Sequence, residues 1–115
     1  MDGLTFLGPF LTRAEFSRLT GIPGRQVALR PDLLRLRGPL GEAYFAFQLD
    51  GRSIHPALGS VVHSLKDDYD DLAIADWLVH PHERLGRITP LRALRSRWSA
   101  EDVLLAAKEA GPRTE

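Results

Sequence analysis

A chain of 115 residues with 43% hydrophobic and 26% charged side chains has the make-up of one small folded domain rather than a disordered or fibrous protein. Its formal net charge of zero offers no global basic field to a polyanion, and the lack of cysteine excludes disulfides and thiolate metal sites. No run approaches the ~20 apolar residues of a membrane span, and Asp2 with the Gly8-Pro9 break does not read as a signal peptide, so a cytoplasmic protein with no membrane association is expected.

Thr12 opens the first element, and Glu15 three residues later completes a capping box. Ala14, Phe16 and Leu19 give the helix an apolar face, and Gly21 stops it. A second, brief helix is expected over Arg25 to Leu29, ended by Pro31. Two short helices around a glycine turn outline a helix-turn-helix, with Ser17 at the helix crossing and Val27 anchoring the second helix. Next, Leu34 and Leu36 alternate with Arg35 and Arg37, and "GPLG" is turn chemistry. The pattern predicts a wing-like hairpin, Leu33–Arg37 against Ala43–Leu49, with Tyr44, Phe45 and Phe47 forming a core wall rather than a base-stacking platform.

From Pro56 the pattern turns helical. Leu58, Val61, Val62 and Leu65 lie at 3- and 4-residue spacing behind a first-turn proline. "DDLAIADWLV" begins on Asp70 or Asp71 and places Trp77 on an apolar face. "HPHERLG" is a break, after which Gly86 permits a positive φ, Thr89 caps and Pro90 opens a short helix. The last helix runs from a Ser99 cap to Gly111, and the final four residues are expected to fray. The fold class is therefore mostly α with a small β-hairpin: a helix-turn-helix or winged-like lobe over 1–55 and a helical lobe over 56–115.

Charge marks the first lobe. Between Arg13 and Arg37 six arginines face two acids, a local balance of +4, whereas "KDDYDD" at 66–71 holds four aspartates. Arg13, Arg25, Gln26 and Arg30 are the candidate DNA contacts, arginine and glutamine being side-chain types that read guanine and adenine edges. A solvated helical hairpin supporting the other lobe is the structural alternative. The histidines at 55, 63, 80 and 82 lack ligand spacing for a metal, and "DDYDD" lacks the glycine and distant glutamate of a calcium loop. With no phosphate loop, serine elbow or zinc-protease motif, an enzyme is not expected, nor a cofactor.

Leu85, Gly86, Thr89, Pro90, Leu91 and Leu94, followed by Val103, Leu104 and Gly111, form a pattern that resembles the toxin-binding domain of Xre/MbcA/ParS-type antitoxins, over about residues 56–111. The chain departs from the family's frequent Gly-Gly by carrying Arg87 after Gly86, and it has "SRWS" before the last helix. The resemblance implies an antitoxin that occludes the active site of a RES-type, NAD-consuming toxin with its C-terminal region, forms a hetero-oligomer with it, and represses its own promoter through the preceding lobe. It implies that the blocking elements are the last helix and tail, Ser99 to Glu115. Trp98 stands in a turn between arginine and serine, where tryptophans often anchor interfaces, and the partner contacts expected are Arg87, Trp98, Leu104, Ala107, Lys108, Pro112 and Arg113. A stand-alone DNA-binding regulator, dimerised by its C-terminal helices, is the rival reading.

Overall fold

In the computed structural model, which describes residues 9–39 and 41–112, the local signals at helix ends do what their chemistry dictates. Strand β1 (Phe10–Thr12) leads directly into α1 (Arg13–Thr20), where Thr12 accepts from the Glu15 amide at 3.1 Å and its own amide donates to the Glu15 carboxylate at 2.8 Å. Gly21 ends α1 at φ 77°, a backbone conformation that glycine adopts without strain. Helix α2 (Gly24–Leu29) follows, then β2 (Arg35–Gly38) and β3 (Gly41–Phe45). A two-residue ladder, β4 (Leu49–Asp50) with β5 (Ser53–Ile54), closes this half. Helices α3 (Pro56–Leu65), α4 (Asp71–Leu78), α5 (Pro90–Leu94) and α6 (Ala100–Ala110) form the rest. The chain is mostly α with a small antiparallel sheet, and no described helix is long and apolar enough to cross a membrane.

The sheet has order β1-β3-β2, with Phe10 opposite Phe45 and Arg35 opposite Tyr44. Strand β1 was not anticipated. The hairpin also differs from expectation: β3 stops at Phe45, because residues 46–48 turn into a single 3₁₀ turn. There the buried Gln48 side chain takes over the ladder, accepting from the Leu34 amide at 2.5 Å and donating to the Leu34 and Phe45 carbonyls at 2.9 and 3.0 Å. A side-chain amide thus satisfies backbone groups that burial would otherwise leave costly.

Successive β-strand side chains face opposite ways, and this sheet is covered on both faces. Tyr44 joins Phe16, Val27 and Leu33 under the α1–α2 pair, while its neighbour Phe45 joins Leu34 in the larger core built by α3 to α6. Phe10 and Phe47 flank Phe45 with ring centroids 5.1 and 5.4 Å away. The boundary expected between residues 55 and 56 is therefore crossed by a shared core. Arg95 of the second half adds a tie, donating to the Phe47 and Leu49 carbonyls at 2.7 and 3.1 Å.

The interrupted stretch before α5 is a corner built from both of its special residues. Gly86 has φ 74°, Thr89 accepts from the Arg92 amide at 3.0 Å, and Pro90 starts the helix. Arg87 also lies in the left-handed region at φ 66°. Trp77 is buried and donates its indole N–H to the Ala110 carbonyl at 2.7 Å, pinning the end of α6 to α4. Pro112 is buried rather than frayed, and residues 113–115 lie outside the described part of the chain.

Candidate nucleic-acid interface

Helices α1 and α2 meet through a turn tied by side-chain and backbone hydrogen bonds. The Gly21 amide donates to the Ser17 carbonyl at 2.8 Å, and the Ser17 hydroxyl donates to the Ile22 carbonyl at 2.6 Å. Thr20 donates its hydroxyl to Phe16 and receives the Ile22 amide at 3.2 Å. Such side-chain bonds replace the helical bonds that the turn interrupts. Phe16 and Val27, both fully buried, fix the crossing from below.

On the outer side of α2, Arg25 and Gln26 are exposed, and Leu29 stands 82% exposed one helical turn beyond Arg25. The β2–β3 hairpin borders this helix pair through one carboxylate. Glu42, with its side chain largely buried, receives Arg13 of α1 at 3.3 Å on one oxygen and Arg37 of β2 at 3.3 Å on the other. Tyr44 donates its hydroxyl to the same group at 3.0 Å. The Arg13 side chain also runs past Gly24, at the start of α2, where a Cβ would come within 3.7 Å of its Cδ. Arg13 therefore joins α1, α2 and the hairpin into one continuous surface.

Of the four residues expected to touch DNA, Arg13, Arg25 and Gln26 lie on this surface. Arg30 does not act as a free cation: its guanidinium is paired through two bonds, at 2.9 and 2.6 Å, with Asp32 just beyond Pro31. The pairing holds the Asp32 carboxyl below its usual range and raises the Arg30 pKa. Sequence reasoning passed over Arg37, Leu29 and Glu42. Arg37 belonged to the arginine-rich stretch and its exposed hairpin position was the available signal; Glu42 acquires its role only through the fold.

The alternation expected in β2 fails at one residue. Arg35 is only 8% exposed, although it alternates with leucines along the strand. A cleft beside β2 and α4 is lined by Arg30, Arg35, Arg37, Lys66, Asp70 and Asp71. Three of its cations are engaged internally: Arg30 pairs with Asp32, Arg35 bonds backbone carbonyls, and Lys66 donates to the Leu33 carbonyl and approaches Asp71 at 3.5 Å, with burial lowering its pKa.

The residues expected to touch a toxin scatter. Arg87 is exposed beside Glu83 at 3.6 Å, Lys108 is exposed, and Leu104 is half-buried. Trp98 is half-buried and packs on the large core. Ala107 is 4% exposed and Pro112 is buried: α6 turns Ala106 and Ala107 inward onto the chain's own helices. Arg113 lies outside the described residues. The histidines have local uses: His55 accepts from the Leu58 amide at 3.3 Å as the α3 cap, and His82 stacks on Trp77 at 5.0 Å.

The fold has a solved counterpart. A protein whose structure is described as the NMR structure of Rv2175c superposes with a TM-score of 0.68, covering 96% of this chain and 84% of that one at 21% identity. At that identity the likeness is one of fold alone. No protein-family model matches the chain, and no curated protein matches it.

Proposed function

We propose that this chain binds double-stranded DNA through the α1–α2 pair and the β2–β3 hairpin, as a small winged helix-turn-helix regulator. The observation that carries the reading is the Arg13–Glu42–Arg37 junction. It joins two exposed arginines from different elements on one carboxylate, with Arg13 passing the start of α2, whose outer face presents Arg25, Gln26 and Leu29. Arginines on the hairpin and on α1 suit phosphates, which position a protein without specifying sequence. Arginine, glutamine and an exposed leucine on α2 suit base edges, the leucine fitting a thymine methyl group. Zero net charge is compatible with this, because the binding force comes from local arginines and the counterions they displace.

The test is a duplex selected from a random pool, titrated by fluorescence anisotropy at several salt concentrations. The logarithm of the wild-type affinity should fall linearly with the logarithm of salt, by about 0.9 for each phosphate neutralised. Arg37→Ala should weaken all sequences alike and reduce that slope by about one contact. Arg25→Ala should cost about 1–3 kcal/mol on the selected site and relax its specificity. A wild-type chain with no salt-dependent duplex affinity overturns the proposal.

A second reading, binding to a RES-type toxin, draws on a different observation. Helix α6 leaves Leu105 50% exposed beside half-buried Leu104, over a groove shared with Leu65 and Tyr69 and edged by Lys108. A partner would sit on this outer face of α6, since the inner face packs on the chain's own helices. Affinity capture from the native host tests it. A stoichiometric companion that depletes NAD when expressed alone, and loses its hold on the Leu105→Glu chain, supports this reading; capture of no such companion removes it.

A further inference from the structure

Arg35 is a buried cation to whose guanidinium no acidic side chain among the described residues is bonded, and its buried Nε has no hydrogen-bond partner among them, so the contacts of the two terminal nitrogens and of the ring must offset the cost of burial. One terminal nitrogen donates to the Ala28 carbonyl and the other to the Arg30 carbonyl at 2.6 Å. These are carbonyls at the C-terminal end of α2, where helices leave acceptors without an internal partner. The guanidinium carbon lies over the Tyr44 ring, 5.2 Å from its centroid, within cation–π range. The Tyr44 hydroxyl in turn donates to Glu42, the group that holds Arg13 and Arg37. Behind Arg35, its backbone amide donates to the Asp71 carboxylate at 2.9 Å, which fastens β2 to the start of α4.

A single side chain thus grips the end of α2 and rests on the residue that props the hairpin's ion pairs. We infer that Arg35 is a positioning residue that fixes α2 at its angle to the β2–β3 hairpin, and so sets the distance between the groups on α2 and the arginines beside it. The inference rests on the proposed DNA reading for its consequence but not for its geometry. Arg35 is too buried to reach a phosphate, so it acts through α2. Lysine does not reproduce it, because an ammonium is a compact point charge without the rigid fork whose two terminal nitrogens each reach a separate carbonyl here.

The test compares Arg35→Lys and Arg35→Met with the wild type in two measurements. The first is amide hydrogen exchange by NMR, without DNA. Exchange at Ala28, Leu29 and Arg30 should quicken by about tenfold in both variants, the scale expected for losing a charge-assisted bond, while Val103 and Ala106 of α6 stay within about twofold. The second is duplex binding against salt. Affinity should drop by about tenfold at constant salt, with the salt slope unchanged, since no phosphate contact is lost.

Exchange in α2 that stays at the wild-type rate, or quickens equally in α6, overturns the inference. So does a slope that falls by a full contact, which would make Arg35 a direct phosphate ligand. Arg35→Lys preserves charge and is the gentler change should Arg35→Met not fold. A wild-type chain that ignores duplex DNA removes the function proposed above, yet the exchange measurement still decides whether Arg35 holds α2.

Discussion

Two residues carry conformational or electrostatic costs that single substitutions expose. Arg87 sits at φ 66°, directly after Gly86 at φ 74°, because the His82 carbonyl receives its amide at 2.9 Å and the His82 amide bonds Ile88 at 3.1 Å across the corner. A non-glycine residue in this region costs about 1–2 kcal/mol, partly offset by the greater freedom of glycine in the unfolded chain. Arg87→Gly should therefore raise stability by about 0.5–1 kcal/mol, read from the urea midpoint at constant m-value. The Asp32–Arg30 pair gives a pH signature. The Asp32 carboxyl is held below its ordinary value of 3.8 by Arg30, so its contribution is full above that value and is lost as pH falls below it. Because both groups are partly exposed, the contribution is at most about 1 kcal/mol. Asp32→Asn should be less stable than the wild type at pH 6, and the gap should narrow below pH 4; a gap that persists at about pH 2.5 would refute the assignment.

At the scale of elements, helix ends were legible and long-range partnerships were not. Thr12 with Glu15, Ser99 with Asp102, and Thr89 before Pro90 announce themselves, because capping is decided within three or four residues. Strand β1 is too short to show a period and exists because Phe45, Tyr44 and Ala43 lie opposite it. Gln48 substitutes for a strand partner fourteen residues away, and the alternation of leucine and arginine in β2 concealed that Arg35 is drawn inward by α2 and Tyr44. The same limit governed the site. Arg25 and Gln26 could be placed by helical geometry, whereas the pairing of Arg30 by Asp32 and the burial of Ala107 depend on how the chain closes. Helix α6 illustrates both kinds of signal. Ser99→Ala should cost about 1 kcal/mol through the lost cap. Gly111→Ala should cost more, because a Cβ there would overlap the Ala107 carbonyl oxygen just where α6 is pinned to Trp77. A Gly111→Ala chain with an unchanged urea midpoint would place the end of α6 elsewhere.

For the whole molecule, the shared sheet determines what a distant change does to binding. Tyr44 and Phe45 are adjacent and fully buried, one under the α1–α2 pair and the other in the helical core. Neither half can close its hydrophobic cluster without β3, and a lobe of about 55 residues has little area with which to stabilise itself alone. The two halves should therefore unfold together. Trp77 fluorescence, which reports on the helical half, and amide exchange at Phe16 and Val27, which reports on the helix pair, should give coincident urea transitions. Phe45→Ala should lower stability by about 3–5 kcal/mol, a large share of what a small domain possesses. It should also lower the folded fraction competent to bind duplex, although Phe45 is remote from Arg25 and lies on the opposite face of the sheet. Separate transitions, with α1 and α2 protected after Trp77 is exposed, would mean that the elements of the proposed site fold without the helices behind them. The coincident outcome would mean that those helices serve the proposed site by holding β3 in place.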